Sequence, residues 1–297
     1  MKYRDAATFR QALLARLRTL SGSAGIPFER LRKRLVFERL VARLLAVAPG
    51  RWALRGALAL DFRFRFQARA TKDADLVGPD DVEAATDDLI AAQTCDLGDH
   101  FVFAMRRIQE GDPSQPEPTI SFHVTAQVAG AVFDEATVDV GFRDTTEWEP
   151  ETVASDLLAF AGIEPTRIPV IPLEVQVAEK VHAYTRKYGR YQRASTRVKD
   201  LIDLVLIVST ATLDAHRLRV ALDGVFTRRA THLLPSALPS PSADWSRPYG
   251  AMAQQIDVDP DPAAGRRKVS ACLDPVLAGL AVGRWDPLGR AWKTEEG

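Results

Sequence analysis

The repeat of apolar residues changes part-way along this chain, and that change limits the folds open to it. Three stretches between residues 100 and 142 (HFVFAMRRI, PTISFHVTAQ and GAVFDEATVDVGF) alternate apolar with polar residues, the period of two that a half-buried strand requires. They read as antiparallel strands of one mixed sheet. From residue 173 the repeat lengthens. Segments 173–188, 196–209 and 213–229 carry apolar residues at helical spacing, and two more helices are expected near 244–256 and 263–281. A sheet-bearing half followed by a helical half makes an α+β chain, with a boundary expected near residue 165. With 297 residues, 46% of them hydrophobic, the chain has material for one large core or two modest ones.

The first half opens with helices. Phe9, Leu13, Leu14 and Leu17 set one over 6–20, which SGSAGIP is expected to break. A second is expected over 28–47, with Leu31, Leu35, Val36, Leu40, Leu44 and Leu45 inward and Pro49-Gly50 ending it. RWALRG reads as a short strand closed by Gly56, ALALDFRFRF as a helix, ATKDADLVG as a strand and 80–93 as an acidic amphipathic helix. Segment 151–173, with Pro165, Pro169 and Pro172, reads as irregular, and 235–248, rich in Pro and Ser, as a loop or linker.

Formal net charge is zero, so bulk charge names no partner, but the bases are clustered. One run holds Arg4, Arg10, Arg16, Arg18, Arg30, Arg32, Lys33, Arg34, Arg39, Arg43 and Arg51; another holds Arg186, Lys187, Arg190, Arg193, Arg197 and Lys199. Each is either a surface for a phosphate backbone or a solvated helix face. Cys95 and Cys272 fit no disulfide or metal framework, no apolar run approaches a membrane span, and the first residues lack the apolar core of a signal peptide. The expectation is a cytoplasmic protein with no membrane association. Zinc spacing, a phosphate-binding Walker loop, a dinucleotide fingerprint and a G-x-S-x-G elbow are all missing.

The chemistry concentrates in Thr71-Lys72-Asp73-Ala74-Asp75-Leu76. Residues two apart on a strand share a face, so Asp73 and Asp75 present paired carboxylates. Like charges that close are tolerated when a cation such as Mg²⁺ neutralises them; the alternative is a solvated strand end. Asp257, Asp259 and Asp261 repeat the spacing in a proline-bearing loop, where no strand aligns them. A third acid, Asp139, sits in Thr137-Val138-Asp139-Val140, whose apolar neighbours face the other way. Gly56, between strand and helix, is either a plain tight turn or a place where phosphate approaches backbone N–H groups. Lys180 is expected on a helix that packs beside the one carrying Asp200 and Asp203, with Asp200 as its anionic neighbour; a buried salt bridge between helices is the alternative to a nucleotide contact. Arg197 either reaches a phosphate or pairs with Asp200. His182 and His123 read as structural, in a helix and in sheet packing.

Taken together, these residues resemble the AbiEii/AbiGii-type family of nucleotidyltransferase toxins, with its MenT-like members, in the DNA polymerase β-like superfamily. Arg55-Gly56-Ala57 stands where the family carries a Lys-Gly-Gly or Gly-Gly/Ser turn, and Thr71 to Asp75 where it carries [ST]-x-D-x-D. Glu179-Lys180-Val181-His182-Ala183 and Arg197 to Leu204 match its lysine helix and its basic x-x-Asp-x-x-Asp helix, so the resemblance spans roughly 28 to 210. The turn departs in having Arg55 for lysine and Ala57 for Gly or Ser.

The resemblance implies a polymerase β-like core (a mixed sheet flanked by helices) over 1–165, and a helical domain over 166–297 that completes the active site. It implies transfer of a nucleoside monophosphate from an NTP to RNA, with the tRNA 3′ acceptor end as target, blocking aminoacylation under the control of a cognate antitoxin. Asp73, Asp75 and Asp139 would bind two Mg²⁺ ions, with Asp139 also facing the acceptor hydroxyl. Lys180 and Asp200 would be catalytic. Arg55, Gly56, Ala57, Thr71, Lys180 and Arg197 would bind the nucleotide, Thr71 being otherwise an ordinary strand residue. Two alternatives remain: transfer to a protein hydroxyl, and a degenerate transferase fold acting only by binding.

Overall fold

The structure, a computed structural model, describes residues 1–79, 81–110, 119–142, 148–187 and 197–294. Its contacts divide the chain into two compact units, Met1–Phe66 with Ala70–Ile171, and Gln67–Arg69 with Pro172–Gly297.

The first unit is built on a seven-stranded mixed sheet in the order β3-β4-β5-β2-β1-β7-β6. Its strands are β1 (Ala53–Arg55), β2 (Asp73–Gly78), β3 (Phe101–Glu110), β4 (Thr119–Val128), β5 (Ala131–Phe142), β6 (Glu151–Ser155) and β7 (Thr166–Val170). β3, β4 and β5 form an antiparallel meander, and β2 enters parallel to β5. Alternation decides the two faces. Ile120, Phe122, Val124, Val138, Val140, Leu76 and Leu54 are buried on one face in the core, where removing apolar surface from water contributes about 25 cal/mol per Å². The residues between them turn Asp75, Asp139, Ser121 and His123 to the other face.

Helices α1 (Ala6–Ala24), α2 (Phe28–Val47), α3 (Gly56–Arg63) and α4 (Val82–Thr94) complete the unit. α1 runs past the expected break, since Gly25 in the left-handed region closes it only after Ala24. α2 departs further from expectation. Beyond its apolar stripe it buries Arg34, Glu38, Arg39 and Arg43. Arg43 donates to both oxygens of Asp99 at 3.0 and 2.7 Å, and Arg39 to Asp99 Oδ2 at 2.7 Å. Glu38 accepts from Ser155 Oγ at 2.6 Å, and burial pushes its carboxyl above the usual range. Arg34 bonds Asp61 Oδ2 at 2.8 Å, Arg30 joins the same carboxylate, and Lys33 and Arg51 pair with Asp134 and Asp88. The N-terminal basic run is thus mostly an internal ion-pair lattice. Arg4, Arg16, Arg18 and Arg51 are exposed.

Segment 151–173 is not irregular. It holds β6 and β7, paired antiparallel from Glu151↔Val170 to Ser155↔Thr166. Proline disguised the strand. Ile171 N–H donates to Leu54 O across the β1 ladder, so residue 169 turns toward the same neighbour. Pro169 has no N–H to offer there, and β1 pairs with β7 only at Leu54↔Val170.

The second unit holds α5 (Leu173–Thr185), α6 (Val198–Thr210), α7 (Ala215–Arg229), α8 (Ser246–Ala253) and α9 (Pro262–Leu277). It also contains a hairpin, β8 (Arg284–Asp286) and β9 (Ala291–Lys293), that the helical reading omitted. Trp285 anchors it, donating from its indole to Val208 O at 2.8 Å. Segment 235–248 is no linker: Leu238 is buried, its N–H donates to Asp274 Oδ1, and Arg266 donates to its carbonyl. Asp261 accepts from Ala263 and Ala264 N–H as the cap of α9, which accounts for one of the look-alike acids structurally. No helix among the described residues is long and apolar enough to cross a membrane.

Candidate active site

β2 and β5 run parallel and in register, and that register makes the site. Asp75 stands directly beside Asp139, and Asp73 beside Thr137. Asp75 and Asp139 are half-buried on the face opposite the core, while Asp73 is exposed at the start of β2. Ser121, across β5 on β4, donates to Asp139 Oδ1 at 2.5 Å and fixes that carboxylate. The site is therefore an adjacent pair with a third carboxylate one pleat repeat away. Among the described residues no three or more His, Cys, Asp or Glu side chains gather closely enough to hold an ion.

Gly56 and Arg55 frame the pair. Gly56 opens α3 at φ 67°, and a Cβ there would overlap the Asp75 carboxylate, with Cγ at 2.9 Å. Both backbone and space therefore require glycine, and Asp75 lies against the first residue of a helix, where the peptide dipoles favour an anion. Arg55 faces Asp75 across the β1–β2 ladder. Ala57 is buried in the first turn of α3. Thr71 precedes β2 and is not one of its residues: its hydroxyl donates to Asp73 O at 3.0 Å and accepts from Asp73 N–H at 3.4 Å, closing a turn. His123 sits on the acidic face of β4, 34% exposed, with Nε2 3.7 Å from Glu135.

The second unit has its own charge cluster. Lys180, buried in α5, donates to Asp203 Oδ2 at 2.6 Å and lies 3.6 Å from Asp200. Its main partner is thus Asp203, one turn deeper in α6 than expected. Asp200, in the first turn of α6, accepts from Arg197 Nε at 2.8 Å. Arg69, which sequence reasoning missed, binds Asp203 through two bonds of 3.0 and 3.1 Å. Burial works against the Lys180 charge, but Asp203 and Asp200 outweigh it and hold its pKa above the ordinary value. Lys180, Arg69 and Arg197 thus contact the two carboxylates Asp203 and Asp200. His182 is structural, paired with Thr231 Oγ at 2.8 Å and packed on Phe226. Arg190 and Arg193 lie outside the described residues.

A family described as "Nucleotidyl transferase AbiEii toxin, Type IV TA system" matches residues 39–275, most of the chain. The protein belongs to the AbiEii nucleotidyltransferase toxin family. Membership implies an NTP substrate and an antitoxin partner. Among solved structures, the AbiEii chain is similar to MenT4, a nucleotidyltransferase toxin from Mycobacterium tuberculosis, at 19% identity and TM-score 0.51, covering 89% of this chain and 98% of that one. A protein from H. pylori described as a nucleotidyltransferase matches at 12% identity over 83% and 94% of the two chains, with TM-score 0.42. A nucleotidyltransferase-like antigen from Paracoccidioides brasiliensis matches at 14% over 69% and 96%, with TM-score 0.37. No curated protein sequence matches.

Asp75 and Asp139 supply hard oxygen donors side by side and within reach of solvent, which suits Mg²⁺. Asp73 lies on the same face at the strand's open end.

Proposed function

We propose that this AbiEii-family protein transfers a nucleoside monophosphate from an NTP to the 3′-hydroxyl of RNA, breaking the α–β phosphoanhydride and releasing pyrophosphate, with the tRNA acceptor end as target. The toxic outcome would be tRNA that cannot be aminoacylated. The observation that carries this reading is the in-register Asp75–Asp139 pair on the open face of the sheet, beside the Gly56 turn.

Asp75 and Asp139 would hold Mg²⁺, with Asp73 adding negative charge on the same face at the start of β2; the ion when bound would supply charge neutralisation at the phosphates and the attacking oxygen. The chain's residues do the rest. Asp139, which accepts from Ser121, would take the proton of the acceptor hydroxyl. The first turn of α3 and the Arg55 guanidinium favour the triphosphate electrostatically. Lys180 and Arg197 would bind the nucleotide's phosphates, and Asp200 would orient Lys180. The acceptor backbone would meet exposed bases such as Lys187 and Lys199.

One observation favours a second acceptor. Because α2 commits Arg34, Arg39 and Arg43 to internal acids, the basic surface left for RNA is smaller than the sequence suggests. A protein hydroxyl needs no such surface. Incubating the chain with Mg²⁺ and each labelled NTP, against total tRNA and against total protein, separates the two. Label in RNA supports the first reading; label only in protein replaces it with the second.

A further inference from the structure

The acidic face carries a residue with no side chain at all. Gly141 follows Asp139 by two on β5 and so shares its face. Its φ lies outside the left-handed region, so no turn calls for glycine there. Space does. A Cβ at Gly141 would lie 2.8 Å from Nη2, 3.0 Å from Cζ and 3.2 Å from Nη1 of Arg55. Arg55 belongs to β1, and β2 lies between β1 and β5. The guanidinium therefore reaches over the whole of β2 and rests on bare β5 backbone, on the face that carries Asp75 and Asp139.

We infer that Gly141 is a positioning residue: its missing side chain is the berth that holds the Arg55 guanidinium beside the carboxylate pair, where it meets a nucleotide's phosphates. The inference rests on the proposed nucleotidyl transfer. A guanidinium presents a rigid fork of donors that matches phosphate oxygens, so its placement matters more than its charge alone. The clash that any side chain at 141 creates falls on the far end of a long, flexible side chain. The substitution therefore moves the cation and leaves the strand in place.

A double-mutant cycle on the full chain tests this. Gly141→Ala, Arg55→Ala and the double variant are compared with wild type. The readouts are affinity for a non-hydrolysable NTP analogue with Mg²⁺, KM and kcat for NTP, and Tm. Gly141→Ala is expected to weaken analogue binding about tenfold, a single charge-assisted contact, and to raise KM with kcat nearly unchanged. In the Arg55→Ala background the same substitution should change little, because the guanidinium it displaces is gone. Arg55→Lys, with a narrower head, should recover part of the loss in Gly141→Ala. An equal loss of affinity or of Tm with and without Arg55 overturns the inference, as does wild-type affinity in Gly141→Ala. If wild type transfers nucleotide while Gly141→Ala matches it, this inference alone falls; if wild type neither binds nor transfers, both fall.

Discussion

Asp75 and Asp139 matter for the place of their oxygens, not for packing. Asp139→Asn keeps the Ser121 contact and removes the charge, so nucleotide transfer should fall at least about 100-fold, the scale of a lost general base, while Tm holds or rises as like-charge repulsion is relieved. A Tm drop with activity retained would mark the residue as structural. Gly56→Ala carries two penalties. A non-glycine residue at φ 67° costs about 1–2 kcal/mol, and its Cβ displaces the Asp75 carboxylate, so urea unfolding and transfer should both suffer. The carboxylates were legible in the sequence because alternation along a strand assigns faces without knowing any partner. Ser121, Gly141 and Arg69 were not, since each acts across a ladder or between segments. The same limit explains Lys180. Asp200 and Asp203 share a helix face, and only the depth at which α5 meets α6 selects Asp203.

At the scale of elements, α2 shows how a basic run misleads. Its buried Arg34, Arg39 and Arg43 find Asp61 and Asp99 at separations of 27 to 60 residues, beyond any local pattern, so a buried lattice looks like a charged surface. Breaking one member leaves a buried charge unpaired: Asp99→Asn should destabilise by about 3–5 kcal/mol in urea unfolding. Burial opposes the Asp99 charge, but the Arg43 hydrogen bond and the Arg43 and Arg39 charges outweigh it and hold its pKa below 3.8. Its contribution is therefore present above pH 3.8 and lost as pH falls through the lower folded value. Lys180 behaves oppositely. Its stabilisation is complete below pH 10.5 and lost as pH rises through the higher folded value. An alkaline Tm series on wild type and Lys180→Met should converge above that value. The helices and the β3–β5 meander were readable because their apolar repeats are long. β7 hid behind Pro169, and the β8–β9 hairpin offers three-residue strands too short to show a period.

For the molecule as a whole, the acidic sheet face and the nucleotidyltransferase toxin family support nucleotidyl transfer, with RNA as the proposed acceptor. If RNA is the acceptor, its KM should rise steeply with salt as phosphate contacts are screened, and the double change Lys187→Glu with Lys199→Glu should flatten that dependence. The most direct measurement incubates the purified chain with Mg²⁺, labelled NTP and total tRNA, beside Asp139→Asn at equal Tm. The expected result is label at RNA 3′ ends with wild type and none above background with the variant. Equal labelling by the two, or no labelling of RNA by wild type, would contradict it.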